Sequence, residues 1–275
     1  GLQGIRALKA IDDSLKSEEG KQGVSQQLTA LHQKLLAAQR RLLIVAEQHG
    51  FDEHSPGLAA IWADFQASSQ APLQLATVRG QRREFWCANS QVNFCASAYP
   101  TVSSDHPDAP ALSVLAVYLR NGILHRCIRE QGGAYGGGAS QDSNIAAFRF
   151  YSYRDPRLQE TLDDFRSAIN WMLETPVSED ALEQSILGVV GSIDRPGSPA
   201  GEAKQDYHNR IFGRNLEDRR RFRQRVLAVS GDDLKRVTKQ YLEGVEPSIA
   251  VLSNASRAEQ LEEWLRDGGF SIQKL

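Results

Sequence analysis

An arginine and a tyrosine, Arg129 and Tyr135, stand in the most glycine-rich stretch of this sequence. Both side chains are hydrogen-bond donors. A strand so rich in glycine packs poorly by itself and usually marks a place where another backbone or a ligand comes close. The stretch therefore predicts a place where another backbone or a ligand can approach the chain. The glycines around the tyrosine are Gly132, Gly133, Gly136, Gly137 and Gly138.

The elements that would position this pair follow from apolar periodicity. Apolar residues recur at three- and four-residue steps from Ala109 to Arg129, which indicates a largely buried helix. Gly132 and Gly133 are expected to end it, because glycine adopts a left-handed helix cap at low cost. Two strands over residues 134–138 and 145–153, joined by a polar turn, are then predicted to form a hairpin that begins near the tyrosine.

Both residues also have ordinary explanations. Arg129 could be a cation in the last helical turn, where the helix dipole favours one, and Tyr135 could be an ordinary strand aromatic. A phosphate cradle is disfavoured, because the P-loop lysine and hydroxyl are absent and the order of helix then strand is the reverse of a nucleotide-binding turn. The residues alone do not decide between a functional site and these ordinary explanations for Arg129 and Tyr135.

The stretch Ile128–Gly138, with its His125-x-x-x-Arg129 lead-in, resembles a segment of the pitrilysin/insulinase zinc metalloproteases. The similar segment is the arginine and tyrosine segment in their C-terminal half, and the presequence protease subgroup looks closest. Further matches are Gln91–Ala98 and Asp194–Pro199. The resemblance extends from about Gln74 to the end of the chain and, more loosely, over the residues before it.

This resemblance implies roles for individual residues. Arg129 would hold a backbone carbonyl of a peptide substrate. The Tyr135 hydroxyl would donate to the oxyanion formed when zinc-bound water attacks the scissile carbonyl. The substrate-binding positions would be His125, Gly133, Gly136 and Gly137.

Zinc is the cofactor that the resemblance implies. The family binds it through His-x-x-Glu-His on a helix, and this sequence contains no such string. The nearest group, His49 with Glu53 and His54, has one residue too many and is predicted to lie in the loop His49–Pro56. We therefore expect no metal ligands in this chain, with zinc bound instead by an N-terminal half that lies outside it.

The composition is that of an ordinary soluble protein of 275 residues, 41% of them apolar, with a net charge of −2. This charge gives no general attraction to nucleic acid or anionic membranes, and no stretch is apolar enough to span a membrane. Three unpaired cysteines suit a reducing compartment, so the cytoplasm, or an organelle matrix in a eukaryote, is expected. The chain begins at Gly1 without Met, so the absence of a signal peptide carries little weight.

The predicted fold class is α+β, with an antiparallel sheet covered by helices on one face. Residues 1–73 are expected to be the C-terminal part of a preceding, third homologous domain, ending in the linker Ala67–Pro72. In this region we predict helices from Leu2 and Gly23, a buried strand Leu42–Ala46, and a helix that begins at Ser55-Pro56. Residues 74–275 are expected to be a complete fourth domain, in which Asp155-Pro156 begins a helix.

A dense arginine run near residue 220 is predicted to be a solvated helix face with intrahelical ion pairs, or the lining of a chamber that attracts acidic peptides. A nucleic-acid site is disfavoured, because the arginines surround the helix instead of forming one stripe. The run contains Arg214, Arg219, Arg220, Arg221, Arg223 and Arg225, interleaved with Glu217 and Asp218.

The predicted function is that of the C-terminal portion of a presequence-protease-like zinc metalloendopeptidase that degrades peptides. Alone it is expected to be inactive, because the resemblance implies two bowl-like halves that enclose a chamber, the other half bearing the zinc. The partners would be peptide substrates and that N-terminal half, without nucleic acid or membrane. Two alternatives are a non-catalytic peptide-binding or structural subunit of the same family, and a stand-alone module that binds extended peptides by strand addition.

Overall fold

A computed structural model describes residues 1–63 and 80–275 of the chain. These residues form two compact units. The smaller comprises residues 1–63, residues 197–213 and Leu275, and the larger comprises residues 80–196 and 214–274. The predicted boundary after residue 73 and the predicted linker Ala67–Pro72 lie outside the described residues, so the division into a third and a fourth domain stays a prediction.

The larger unit is built on a six-stranded sheet with the order β3-β4-β2-β5-β1-β6. Neighbours from β3 to β5 are antiparallel, whereas β1 pairs in parallel with β5 and with β6. The α+β class is confirmed, and the sheet is mixed, because the chain crosses over through helices before it returns beside β1. The strands are β1 (Arg83–Cys87), β2 (Asn93–Pro100), β3 (Gly136–Asp142), β4 (Ala147–Asp155), β5 (Ser248–Ser253) and β6 (Ser271–Lys274).

Helices make up most of the remaining structure. A π-helical segment, Arg120–Gln131, continues directly from α4. The α-helices are α1 (Leu2–Ser14), α2 (Glu18–Ala37), α3 (Gln48–Ala63), α4 (Ala109–Leu119), α5 (Gln159–Glu174), α6 (Glu179–Ile193), α7 (Pro199–Ile211), α8 (Leu216–Leu227), α9 (Gly231–Tyr241), α10 (Ala255–Gln260) and α11 (Glu262–Asp267). Among the described residues, no helix is both long and apolar enough to cross a membrane.

The core of the larger unit lies on one face of the sheet. In β2 the buried residues alternate with more exposed ones, so Cys95 and Tyr99 face inward with Phe148 and Phe150 of β4. The buried side of α4 covers this face, together with α5, α6, α8 and α9. Both α4 and the π-helical segment that follows it contact β3, which is an edge strand. The residues after α4 therefore lie near this edge of the sheet.

Three predictions for the smaller unit are wrong. The helix predicted from Gly23 begins at Glu18, because the Ser17 side chain caps it by accepting a hydrogen bond from the Gly20 N–H. Leu42–Ala46 forms no strand, and Leu42 and Val45 are exposed. A strand needs a partner for its backbone groups, and no described segment pairs with this one. The predicted loop His49–Pro56 is helical, since α3 runs from Gln48 through Pro56. Proline removes one helical hydrogen bond, but its fixed φ is compatible with a helix.

The expected helix start at Asp155-Pro156 is also wrong. The helix α5 begins at Gln159, and Asp155 is the fully buried last residue of β4. Its carboxylate accepts hydrogen bonds from the Arg157 N–H at 2.9 Å and the Thr161 hydroxyl at 2.8 Å. The carboxylate therefore supports the turn between β4 and α5 without capping the helix.

Candidate functional site

The segment that carries Arg129 is a wider helix than the one before it. The chain kinks at Gly122, with φ −90° and ψ −108°, and continues in π-helical turns to Gln131. Leu124 and Ile128 point inward and are fully buried, while Arg129 is exposed. Isolated π-type turns are rare and are often found at functional sites, where they change the direction of side chains.

The end of this segment is fixed by a left-handed glycine. Gly133 has φ +77°, and its N–H donates to the Arg129 carbonyl at 3.1 Å. The next N–H, of Ala134, donates to the Ile128 carbonyl at 3.1 Å. Both bonds satisfy carbonyls at the helix end, so the turn from Arg129 to Tyr135 has a defined geometry.

Gly132 lets an arginine pass close to this turn. A Cβ at Gly132 would lie 1.9 Å from Nη2 of Arg157. That nitrogen donates to the Cys127 carbonyl at 3.0 Å and to the Asp164 carboxylate at 2.8 Å. Arg157 thereby ties the helix end to the loop after β4 and to α5.

Tyr135 is held by its backbone and by two neighbouring side chains. Its N–H donates to the Arg154 carbonyl at 3.2 Å. Its ring lies 5.7 Å from the Tyr153 ring, and the Arg154 guanidinium carbon lies 5.5 Å from its centroid. The side chain is 62% exposed, and its hydroxyl forms no hydrogen bond within the described chain. The hydroxyl is therefore available to a ligand.

The glycines of β3 serve internal packing. A Cβ at Gly136 would lie 2.5 Å from the Tyr153 hydroxyl, and one at Gly137 would lie 2.8 Å from a methyl of Ile128. Both glycines thus make room for atoms of the protein itself, while Gly133 supplies the left-handed cap. Direct contact of these three glycines with a substrate stays a prediction.

Arg129 and His125 lie four residues apart on the exposed side of the π-helical segment. His125 Nδ1 is 3.3 Å from the Glu130 carboxylate. The Arg129 side chain forms no hydrogen bond or ion pair with the described residues, and none joins it to Tyr135. The fold thus brings the three predicted residues to one end of the helix and hairpin without linking their side chains.

The sequence analysis missed Tyr153, Arg154 and Arg157. They follow or end a predicted strand, and the sequence signal there, Asp155-Pro156, indicated a helix start. The first two reach Tyr135 only because β4 is paired with β3, with Tyr153 opposite Gly136. No local pattern reports that cross-strand contact.

The described residues do not fit a zinc site. They contain no group of three His, Cys, Asp or Glu side chains that could hold a metal ion. His49 Nε2 lies 3.9 Å from the Glu53 carboxylate, and both groups are largely exposed. His54 is five residues from His49 along α3, so the two histidines do not share one helix face.

The cysteines and the arginine run carry no site of their own. Burial raises the pKa of Cys95 to about 12 and that of Cys127 to about 11, so both thiols stay protonated and unreactive. In α8, Arg220 and Arg221 lie 4.0 Å and 3.9 Å from acidic residues one turn earlier. Arg223 pairs with Asp194 at 2.7 Å. The first two are the intrahelical pairs expected of a solvated helix face, whereas the third joins α8 to the end of α6.

Sequence comparison finds relatives of this chain. The family described as "PreP C-terminal domain" matches residues 83–253. The mitochondrial presequence protease of Yarrowia lipolytica is 40% identical over 177 residues, covering 63% of this chain and 17% of that protein. The Eremothecium gossypii protein of the same description is 31% identical over 258 residues, covering 90% of this chain and 26% of that protein. The chain thus spans about a quarter or less of these relatives.

Solved structures with a similar fold are more distant in sequence. Pitrilysin superposes with a TM-score of 0.61 at 13% identity, covering 81% of this chain and 25% of that one. A conserved protein from Enterococcus faecalis V583 gives a TM-score of 0.60 at 18% identity, covering 83% of this chain and 55% of that one. An inactive peptidase domain of a putative zinc protease from Bordetella parapertussis gives a TM-score of 0.52 at 16% identity, covering 60% of this chain and 92% of that one. At such identities the likeness shows the fold alone.

Proposed function

The chain belongs to the PreP C-terminal domain family, and from this premise we propose that it is the C-terminal part of a peptide-degrading zinc metalloendopeptidase. The observation that carries the proposal is the exposed, unbonded Tyr135 hydroxyl, six residues after an exposed and unpaired Arg129 across a defined turn. Buried residues and a glycine cap hold both at one end of the hairpin. A tyrosine that only packed in the core would be covered, and neither side chain has a bonding partner among the described residues.

Arg129 and Tyr135 have different roles in this proposal. Arg129 donates to a main-chain carbonyl of the peptide, an interaction that is already present in the ground state. Tyr135 donates to the carbonyl oxygen of the scissile bond, which gains negative charge at the tetrahedral stage. A hydroxyl fixed where charge develops stabilises that stage more than the bound substrate, so it accelerates the reaction.

The zinc of such a protease would be bound by the N-terminal half, because the described residues offer no suitable ligands. That half is the proposed partner of this chain, and the chain alone is proposed to be inactive. Elemental analysis of the isolated chain after dialysis tests this division. One tightly held zinc per chain would show that the assignment of halves is wrong.

The proposed location is a reducing compartment. The related presequence proteases are described as mitochondrial, which supports an organelle matrix in a eukaryotic host, with the cytoplasm as the prokaryotic equivalent. The three cysteines are free, as such a compartment requires.

A non-catalytic peptide-binding or structural subunit of the same family is the second candidate. It is favoured by the similar fold of a domain that is described as an inactive peptidase domain. The two candidates differ in whether the full-length protein turns over peptides.

The decisive experiment is steady-state kinetics of the full-length protease with Tyr135→Phe, which removes only the hydroxyl. We expect kcat to fall by on the order of 10²–10³, with little change in KM, as when an oxyanion donor is lost. Tyr151→Phe is a matched control, since it removes the hydroxyl of a tyrosine two residues before Tyr153 on β4. Wild-type kcat in Tyr135→Phe would show that this tyrosine is architectural.

A further inference from the structure

Arg154 occupies a backbone position that is unfavourable for its residue type. It has φ +51°, a left-handed value that costs any residue with a Cβ and that glycine adopts freely. Ala146, the other described non-glycine residue with positive φ, lies in the turn between β3 and β4, where such values are common. Arg154, in contrast, has its positive φ inside the strand β4.

The reason is a β-bulge in β4. Asn93 pairs with Asp155 and Cys95 with Ser152, so Tyr153 and Arg154 both lie opposite the one intervening residue of β2. Bulges change the direction of side chains and are common beside active sites. Here the bulge places Tyr153 and Arg154 against Tyr135.

The guanidinium of Arg154 has no polar partner within the described chain. Its central carbon lies over the Tyr135 ring, 5.5 Å from the ring centroid. Arg149, on the same strand, instead lies 3.3 Å from the Asp142 carboxylate. Stacking on an aromatic ring fixes the plane of a guanidinium but leaves its N–H donors free.

Other unpaired cations lie near this end of the hairpin. Arg126 and Arg129, on the π-helical segment, are exposed and have no hydrogen bond or ion pair with the described residues. The nearby Glu130 carboxylate lies within 3.3 Å of His125. The π-helical segment and the neighbouring end of β4 thus carry three arginines without polar partners in the described part of the chain, Arg126, Arg129 and Arg154, against the exposed carboxylate of Glu130, which leaves an excess of positive charge.

We propose that Arg154 is a specificity-determining residue that binds a carboxylate of a peptide lying over Tyr135. This rests on the proposed peptidase function and adds a substrate preference to it. A free guanidinium fork matches a carboxylate in shape and charge, forming two parallel hydrogen bonds. The carboxylate belongs either to an acidic side chain or to the C-terminus of the peptide.

The test uses the full-length protease and a parent peptide that lacks acidic residues and ends in an amide. One series carries glutamate at each position in turn with glutamine as the matched control, and one further peptide has a free C-terminal carboxylate. We expect kcat/KM to be about tenfold higher for at least one carboxylate peptide than for its neutral control. The peptide that gains identifies the source of the carboxylate.

In Arg154→Gly the preference should fall to about one, while the melting temperature stays the same or rises, because glycine relieves the left-handed φ. A merely structural arginine would instead lower the melting temperature and leave the preference intact. Arg154→Lys should keep part of the preference, since lysine retains the charge but not the fork. Arg149→Gln, which removes a paired arginine of the same strand, should keep all of it.

The failures of the two proposals can be distinguished. If Tyr135→Phe loses turnover while Arg154→Gly keeps the wild-type preference, the inference about Arg154 is wrong and the peptidase function stands. Equal rates for every matched peptide pair in the wild-type enzyme would also overturn it. If the full-length protein turns over no peptide, fluorescence anisotropy with the same peptides decides. Loss of the affinity difference in Arg154→Gly supports the role of Arg154, and an unchanged difference refutes it.

Discussion

The helices α4 and α1 both carry apolar residues at three- and four-residue steps, but α4 is apolar on nearly every side whereas α1 is apolar on one face only. In the larger unit, Leu112 and Leu115 of α4 are completely buried against the sheet. In the smaller unit α1 has no buried residue, and Leu8 is 67% exposed. The wide apolar surface of α4 predicts both a helix and its burial, whereas the single apolar face of α1 predicts a helix without showing what would cover that face. Burial depends on partners elsewhere in the fold, which local periodicity does not describe.

Truncating one leucine in each helix tests whether the difference in burial also produces a difference in stability. Leu112→Ala should lower the free energy of unfolding by about 2–5 kcal/mol, because it leaves a cavity in a packed core. Leu8→Ala should change it by less than about 0.5 kcal/mol, because its side chain is mostly solvated in this chain. Chemical denaturation of both variants of the isolated chain measures the difference. A large cost for Leu8→Ala would show that α1 is covered, for example by a second copy.

A smaller loss of stability is expected for a substitution at Gly132, where the core meets the candidate site. Gly132→Ala would place a Cβ 1.9 Å from Arg157 Nη2 and 2.6 Å from the Ile128 carbonyl oxygen. We expect a loss of about 1–3 kcal/mol of stability, as for other overpacked sites. Gly191→Ala is the matched control, because nothing lies within 4 Å of its added Cβ and alanine favours the helix α6.

A double-mutant cycle identifies the group responsible. If the Arg157 side chain causes the strain, Gly132→Ala should cost less in an Arg157→Ala background than in the wild type. Strictly additive costs would show that the Ile128 carbonyl is the obstacle. Thermal denaturation of the four proteins is sufficient for this test.

The sequence predicted the elements of the larger unit well, because each has a strong local signal. The buried helix before Arg129 is predicted by its apolar periodicity, and its end by Gly132 and Gly133. The kink at Gly122 and the π-helical turns after it were not predictable, since a single glycine is compatible with a regular helix. They depend on how the segment packs under β3.

The candidate site shows the same limit. The glycine cluster drew attention to Tyr135, which is exposed and whose role in the site stays a prediction. Arg154 remained hidden, because its position depends on a bulge that exists only once β4 is paired with β2. In the smaller unit, the apolar run Leu42–Ala46 was interpreted as a strand, although a strand forms only when another segment supplies its hydrogen bonds. Both of these misses concern pairing between segments that are distant in sequence, whereas the misplaced helix start at Asp155-Pro156 is a local one.

Asp108, at the start of α4, is a nearly buried charged residue. Its carboxylate lies 2.8 Å from Arg236 Nη1 and accepts a hydrogen bond from the Tyr241 hydroxyl at 2.8 Å. Burial alone would raise the pKa of Asp108, but the hydrogen bonds from Tyr241 and Arg236 outweigh it and lower this pKa. Burial, together with the hydrogen bond to Asp108, raises the pKa of Tyr241 to about 12.

A depressed carboxyl pKa makes the stability of the larger unit depend on pH in a defined direction. The contribution of Asp108 is complete above the unfolded pKa of about 3.9 and is lost as the pH falls through the lower folded pKa. We expect it to be about 1 kcal/mol, because Arg236 is 48% exposed and solvent screens the pair. Asp108→Asn should therefore be less stable than the wild type at neutral pH and lose less stability on acidification. Tyr241→Phe removes one hydrogen bond and keeps the ion pair, so its stability at neutral pH should lie between those of the wild type and Asp108→Asn. Urea denaturation at a series of pH values down to about 3 provides the comparison, and equal acid sensitivity of Asp108→Asn and the wild type would show that this carboxylate is not the group that couples α4 to pH.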